Sequence, residues 1–316
     1  MIVSPDPVTM PSPEGLATSP LREDIGLQQD SHLRTITLQG RPLAGTRTAV
    51  EAGPGLPMRR LPRSRVMPEW PRVSVVIPTL NEAQNIPLVL AEMPDVHEVI
   101  VVDGRSTDGT VEAALTARPD TRIVMQSGRG KGDALGAGFG AASGDVIVCL
   151  DADGSADPAE IPLFVAALVH GADFAKGSRH AVGGGSDDLT RLRRAGNRML
   201  GAVVNHHFRT RYTDLCYGYN AFWVGCLPYL AVDCDGFEIE TLMNVRAAKA
   251  GLRVIEVPSH ERSRIHGLSN LKAASDGWRV LRTILRERRS GGPQPIGTAT
   301  VRRAKAYEEL VTSRRT

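Results

Sequence analysis

A chain of 316 residues, 41% hydrophobic and 23% charged, has the composition of an ordinary soluble globular protein with core enough for one large or two small domains. A net charge of +3 and an aromatic share of 4% argue against a nucleic-acid partner. The four cysteines, Cys149, Cys216, Cys226 and Cys234, lack CxxC spacing and fit reduced cytoplasmic thiols better than a disulfide framework or a zinc site.

Eleven of the 21 prolines occur by Pro71, and apolar periodicity before that point is weak. Residues 1–70 therefore read as a disordered Pro-rich extension with one short ordered piece around Thr35–Leu38, or equally as the product of a mis-assigned start codon. The N-terminus has neither a basic start nor a continuous apolar segment, so no signal peptide is expected. No apolar run reaches the length of a transmembrane helix, which leaves only peripheral membrane contact.

From Arg72 onward, apolar β-branched runs at 73–80, 97–104, 121–127 and 145–153 alternate with helical patterns at 85–93, 109–117, 131–143 and 158–169. This alternation predicts an α/β fold built from βαβ units, with a mainly parallel sheet and a ligand site beyond the carboxyl ends of its strands. Past Asp173 the order changes to a glycine-rich loop at 183–188, a basic helical stretch and an aromatic segment at 212–223. A helix over 238–250, a strand at 252–259 and a final helix over 270–289 follow.

Polar clusters stand at the expected strand ends. In IPTLNE (77–82), Asn81 or Asn85 suits a helix cap, while Thr79 and Glu82 suit a ligand. In DGRSTDGT (103–110), Asp103 either closes a turn or accepts a hydrogen bond from a nucleobase N–H. In GRGKGDA (128–134), glycines permit close backbone approach and Arg129 and Lys131 can reach phosphate oxygens, although the spacing is neither GxxxxGK[ST] nor GxGxxG. In LDADG (150–154), Asp151 and Asp153 lie two apart, so an extended chain points both to one side. Such a pair suits Mg²⁺ or Mn²⁺ with diphosphate oxygens and water as the other ligands; the plainer reading is an acidic turn. Asp157, directly before Pro158, reads as a cap.

In this order the clusters resemble the nucleotide-binding half of glycosyltransferase family 2, which has the GT-A fold, and within it the dolichyl- or polyprenyl-phosphate sugar synthases. The resemblance spans nearly all of residues 73–290. It implies a GT-A domain over 71–290, divided into a nucleotide-sugar half (71–178) and an acceptor half (179–290), followed by a basic tail at 291–316. It further implies a metal-dependent, inverting transfer from a UDP- or GDP-sugar to polyprenyl phosphate or a soluble metabolite. Pro78, Thr79, Asn81 and Glu82 would line the nucleotide pocket, with Asp103 on the base and Lys131 nearby. Asp151, Ala152 and Asp153 would form the DxD motif, its two carboxylates holding the metal and Asp153 serving catalysis.

On the acceptor side, Gly177-Ser178-Arg179 is similar to the GSR motif of those synthases, and Arg194 and Asn197 fall where they meet the acceptor phosphate. RIHGLSNL (264–271) resembles a loop that closes over the diphosphate, implicating Arg264 and Ser269, with Asn270 in place of the usual lysine. Glu238 holds the position of the base that a hydroxyl acceptor needs, unless it only favours a helix N-terminus; Asp214 is a second acid near the acceptor. A homodimer through the C-terminal region is also implied.

Between Leu189 and Thr213 the chain carries six arginines (191, 193, 194, 198, 209, 211) and no acid, a field suited to an anionic acceptor, a membrane surface or a solvated helix face. The last helix groups Trp278, Leu281, Ile284 and Leu285 against arginines, as in a helix that lies in a bilayer interface or packs on its own domain. Two other functions fit parts of the pattern: a retaining transferase of the glucosyl-phosphoglycerate synthase type, and a non-catalytic nucleotide-sugar-binding protein.

Overall fold

The computed structural model describes residues 70–267 and 273–290. The expected extension with its piece at Thr35–Leu38, the positions Ser269 and Asn270, and the tail at 291–316 lie outside the described residues.

The four apolar runs form β1 (Val73–Thr79), β2 (Glu98–Asp103), β3 (Arg122–Met125) and β4 (Val146–Cys149). Between them lie α1 (Ile86–Ala91), α2 (Thr110–Ala117) and α3 (Gly130–Ala141). These strands pair parallel in the spatial order β3-β2-β1-β4. The runs in β1, β2 and β4 are unbroken rather than alternating because both faces are buried. Helix α3 is rich in small residues, which lets it lie close on β1 and β2: a Cβ at Gly138 would strike Val76 and come within 2.9 Å of Val102 Cγ2.

The chain continues through a 3₁₀ turn (Pro158–Glu160), α4 (Ile161–Val169), β5 (Phe174–Ser178), β6 (Gly185–Ser186) and α5 (Arg191–Phe208). It then forms β7 (Asn220–Trp223), α6 (Leu227–Leu230), α7 (Ile239–Lys249), β8 (Val254–Pro258), β9 (His260–Glu261) and α8 (Ala273–Arg289). The aromatic segment supplies β7, which enters the sheet between β4 and β5 and runs antiparallel to both. The sheet is thus mainly parallel, with seven strands and one reversed, and β8 closes its edge beside β5. The short β6 and β9 pair separately.

A second apolar cluster lies under α5, α7 and α8, with Leu200, Val204, Tyr212, Val245, Val280 and Ile284 at its centre. It splits the apolar group expected on α8. Ile284 is buried and Leu281 packs against the cluster, whereas Trp278 is 65% exposed and Leu285 36%. No helix among the described residues is long and apolar enough to cross a membrane.

Candidate active site

Register brings the carboxyl ends of β1, β2 and β4 together: Thr79 stands opposite Asp103, and Val76 opposite Cys149. A cavity of about 560 Å³ opens beyond them. From the sheet side it is lined by Pro78, Thr79, Glu82, Gly104, Lys131 and the turn Asp151–Asp153. From the helix side it is lined by Arg179, Leu192, Arg193, Asn197, Gly277 and Val280.

Strand β4 ends at Cys149, so Asp151 and Asp153 sit in a turn, completed by Gly154 at φ 77°, and not on extended chain. The turn still brings both carboxylates to the cavity. Asp153 Oδ1 accepts from the Ser155 N–H at 3.0 Å and from its hydroxyl at 2.6 Å, which fixes the side chain. Asp151 Oδ1 is 2.6 Å from Lys131 Nζ, and Asp153 Oδ2 is 3.1 Å from Arg264 Nη2. Among the described residues no three or more His, Cys, Asp and Glu side chains form a metal cage. Two hard carboxylates beside an open cavity fit Mg²⁺ or Mn²⁺ that completes its shell with substrate oxygens and water. Asp157 accepts from the Ala159 N–H at 2.9 Å and caps the 3₁₀ turn.

Glycines of the 128–134 loop do serve a close approach, but to protein. Gly132 donates its N–H to the Asp235 carbonyl at 2.9 Å, and a Cβ at Gly130 or Gly132 would strike the carbonyl of Asp235 or Cys234. This contact lays the segment leading to α7 across the start of α3 and places Glu240 Oε1 2.7 Å from Lys131 Nζ. Burial opposes the lysine's charge, yet the carboxylates of Asp151 and Glu240 outweigh it and hold its pKa above the usual lysine range. The floor under the three groups is backbone: a Cβ on Gly218 would lie 2.8 Å from Lys131 Nζ and 2.9 Å from Asp151 Oδ2. Arg129 is exposed and does not line the cavity.

Glu240 therefore holds the place on the wall expected for Glu238. Glu238 lies at the N-cap position of α7, off the cavity, and its Oε2 is buried without a hydrogen-bond partner among the described residues. Residues two apart at the start of a helix face different ways, and the first turn of α7 turns Glu240 inward.

Asp214 is likewise off the wall. Its side chain has 0% exposure and accepts from Arg179 Nε (2.7 Å), Arg179 Nη2 (3.0 Å) and Asn197 Nδ2 (2.8 Å). Burial alone would raise its pKa, but the Arg179 hydrogen bonds and the Lys176 charge hold it well below the usual carboxylate range. Such a carboxylate is a strut for Arg179 and no proton acceptor near neutral pH. Asn197 spends its oxygen on the N–H groups of Leu215 and Cys216, both at 3.1 Å, so it too organises the wall from beneath. Arg179 also reaches Glu261 at 2.9 Å and stacks over Tyr217. Arg194 is exposed on the outer side of α5; its neighbour Arg193 lines the cavity and pairs with Asp188 at 3.4 Å.

The loop after β9 crosses from the Asp153 turn to the start of α1. Ile265 donates its N–H to the Asp153 carbonyl at 3.2 Å, and His266 donates to Asn85 Oδ1 at 3.0 Å. Asn85 thus ties down this loop and makes no side-chain cap on α1. Arg264 lies between Asp153 and Glu82, 2.9 Å from Glu82 Oε1. Asp103, only 1% exposed, accepts from the Ser106 N–H at 2.8 Å and is absent from the wall, where Gly104 stands in its place. Asn81, at φ 56°, accepts from the Thr107 N–H at 2.9 Å, locks the first two loops together and lines a smaller neighbouring cavity.

The model of glycosyl transferase family 2 matches residues 74–226, which hold β1–β5, the DxD turn and Arg179. Glycosyltransferase AglJ of Haloferax volcanii is 32% identical over 72% of this chain and 75% of its own. The polyprenol monophosphomannose synthase of Mycolicibacterium smegmatis is 34% identical over 65% of this chain and 82% of its own. The crystal structure of glucosyl-3-phosphoglycerate synthase from Mycobacterium tuberculosis in complex with Mg²⁺ and uridine-diphosphate superposes with a TM-score of 0.57 at 25% identity, covering 69% of this chain and 79% of that one. A parallel sheet with a DxD turn at its carboxyl edge, shared with relatives of this extent, makes the chain a GT-A glycosyltransferase that belongs to glycosyltransferase family 2.

Proposed function

We propose that the protein transfers a sugar from a nucleoside diphosphate sugar to the phosphate of a polyprenyl phosphate, with inversion at the anomeric carbon and dependence on Mg²⁺ or Mn²⁺. The observation that carries the acceptor is the pairing of the acids on the wall. Asp151 and Glu240 are paired with Lys131, Glu82 and Asp153 with Arg264, and Glu261 with Arg179. A hydroxyl acceptor needs a base to take its proton, whereas a phosphate arrives already anionic.

The helix side supports the same acceptor. Leu189, Leu192, Leu200 and Val280 offer apolar wall to a hydrocarbon chain, with Arg179 and Arg193 among them for its phosphate. Beside this mouth, Leu192, Met199 and Trp278 are exposed at 74%, 60% and 65% among arginines 191, 194, 198 and 279, which suits an anionic bilayer. The polyprenol named for the M. smegmatis relative, and the Mg²⁺ and uridine-diphosphate of the M. tuberculosis structure, support the acceptor and donor classes.

A divalent cation held by Asp151 and Asp153 would supply Lewis-acid stabilisation of the leaving diphosphate. The chain itself supplies placement and charge. An acceptor phosphate oxygen attacks the anomeric carbon from the face opposite the diphosphate; a new C–O bond forms while the old one breaks, and its electron pair departs with the nucleoside diphosphate. Arg264 meets the charge that grows on that leaving group, and Arg179, braced by Asp214, holds the incoming phosphate.

The test offers full-length protein radiolabelled UDP- and GDP-sugars with Mn²⁺ and either a polyprenyl phosphate or 3-phosphoglycerate. The expected product extracts into organic solvent and has inverted configuration by NMR. Label confined to a water-soluble product would overturn the acceptor, and retained configuration would overturn the mechanism.

A further inference from the structure

Each carboxylate of the DxD turn already faces a cation of the chain: Lys131 at 2.6 Å from Asp151 and Arg264 at 3.1 Å from Asp153. We propose that Lys131, anchored by Glu240, and Arg264 are built-in counter-cations that occupy the two carboxylates until a nucleoside diphosphate arrives, so that the divalent cation binds together with the donor and not before it. This rests on the metal and diphosphate reading of the site given above.

The two cations are held in different ways. Lys131 rises from the first turn of α3, and its ammonium is shared between Asp151 and the buried Glu240, with Gly218 backbone closing the floor beneath. Glu240 keeps the ammonium in place even when Asp151 turns to another partner. Arg264 instead comes from the loop tied to Asp153 and Asn85 by single hydrogen bonds, and it bridges Asp153 to Glu82. A divalent cation entering alone meets two positive charges within a few ångströms and must compete with both for the same oxygens. A diphosphate removes that obstacle, because its oxygens accept both Lys131 and Arg264 and free the carboxylates. The coupling is reciprocal, so the metal should tighten the nucleotide by the factor by which the nucleotide tightens the metal.

Mn²⁺ binding to the full chain, read by the electron paramagnetic resonance of free Mn²⁺, tests this without any turnover. Wild type should bind Mn²⁺ about fiftyfold more tightly when UDP or GDP is present, within the ordinary range of coupling between two sites. The double variant Lys131→Met/Glu240→Gln removes the ammonium together with its buried counter-charge, and should bind Mn²⁺ without nucleotide about tenfold more tightly than wild type. Arg264→Met, on a loop where folding is not at stake, should gain several-fold, while Arg264→Lys, which keeps the charge, should gain nothing. Unchanged nucleotide-free affinity in both charge-removing variants, with wild-type melting curves, overturns the proposal. An equal gain in Arg264→Lys also overturns it, since loosened packing would then be the cause. If wild type takes up no Mn²⁺ even with UDP or GDP, the metal reading itself falls.

Discussion

The two sides of the cavity are built differently. The sheet side is made from turns that directly follow β1, β2 and β4, and parallel register fixes where they end. The helix side is gathered from α5 and α8, with Arg179 beyond β5 and the 262–267 loop, which are far apart in the chain and joined by ion pairs over buried acids. The contrast separates two tasks. Stabilising a leaving diphosphate needs charges fixed to a rigid frame, whereas accommodating an acceptor needs a surface that can vary without disturbing that frame.

Substitutions on the sheet side should therefore act on turnover, and those on the helix side on acceptor affinity or stability. The largest effect is expected for Asp153→Ala, with kcat reduced by about a thousandfold and an unchanged circular-dichroism melt. A variant with normal turnover would remove Asp153 from the site. Asp214→Asn leaves Arg179 short of its buried counter-charge and should destabilise the fold by about 3–5 kcal/mol in urea titrations. Because the Asp214 pKa is lowered, its stabilising charge is present above the ordinary carboxylate pKa of about 4 and is lost as pH falls through the lower folded value. The stability gap between wild type and variant should thus hold from pH 7 to about 5 and close only in stronger acid. Gly218→Ala comes next: a Cβ 2.8 Å from Lys131 Nζ and 2.9 Å from Asp151 Oδ2 must push the pair apart, lowering kcat by about tenfold with acceptor KM unchanged. A change confined to acceptor KM would break the division between the two sides.

The sheet side was legible in the sequence because each of its clusters is contiguous and follows a strand that its own apolar run declares. Even there, the choice between neighbours depended on turn geometry, as Asp103 turned to its own loop and Gly104 reached the wall. Helix-borne positions were harder. Glu238 and Glu240 cannot be told apart until the first turn of α7 is placed, and Arg193 and Arg194 differ by about 100° around α5. Asp214 looked like a free acid because its partners, Arg179 and Asn197, lie 35 and 17 residues away along the chain. Strand β7 is four residues of an aromatic segment, and its reversed direction follows from where β4 and β5 leave a gap.

The smallest expected effect tests the helix side at its finest grain, between the adjacent arginines of α5. Arg193 lines the cavity and is paired with Asp188, while Arg194 faces outward with Arg191 and Arg198. Arg193→Ala should raise the KM of a short-chain, water-soluble polyprenyl phosphate by about fivefold through loss of one charge-assisted contact. Arg194→Ala should leave that KM alone and instead weaken sedimentation with anionic liposomes at low salt by about fivefold, the share of one basic residue near such a surface. Sedimentation that is unchanged in Arg194→Ala, together with an altered KM, would mean that α5 turns a different face to the acceptor, and the outer arginines would then belong to the site and not to a membrane surface.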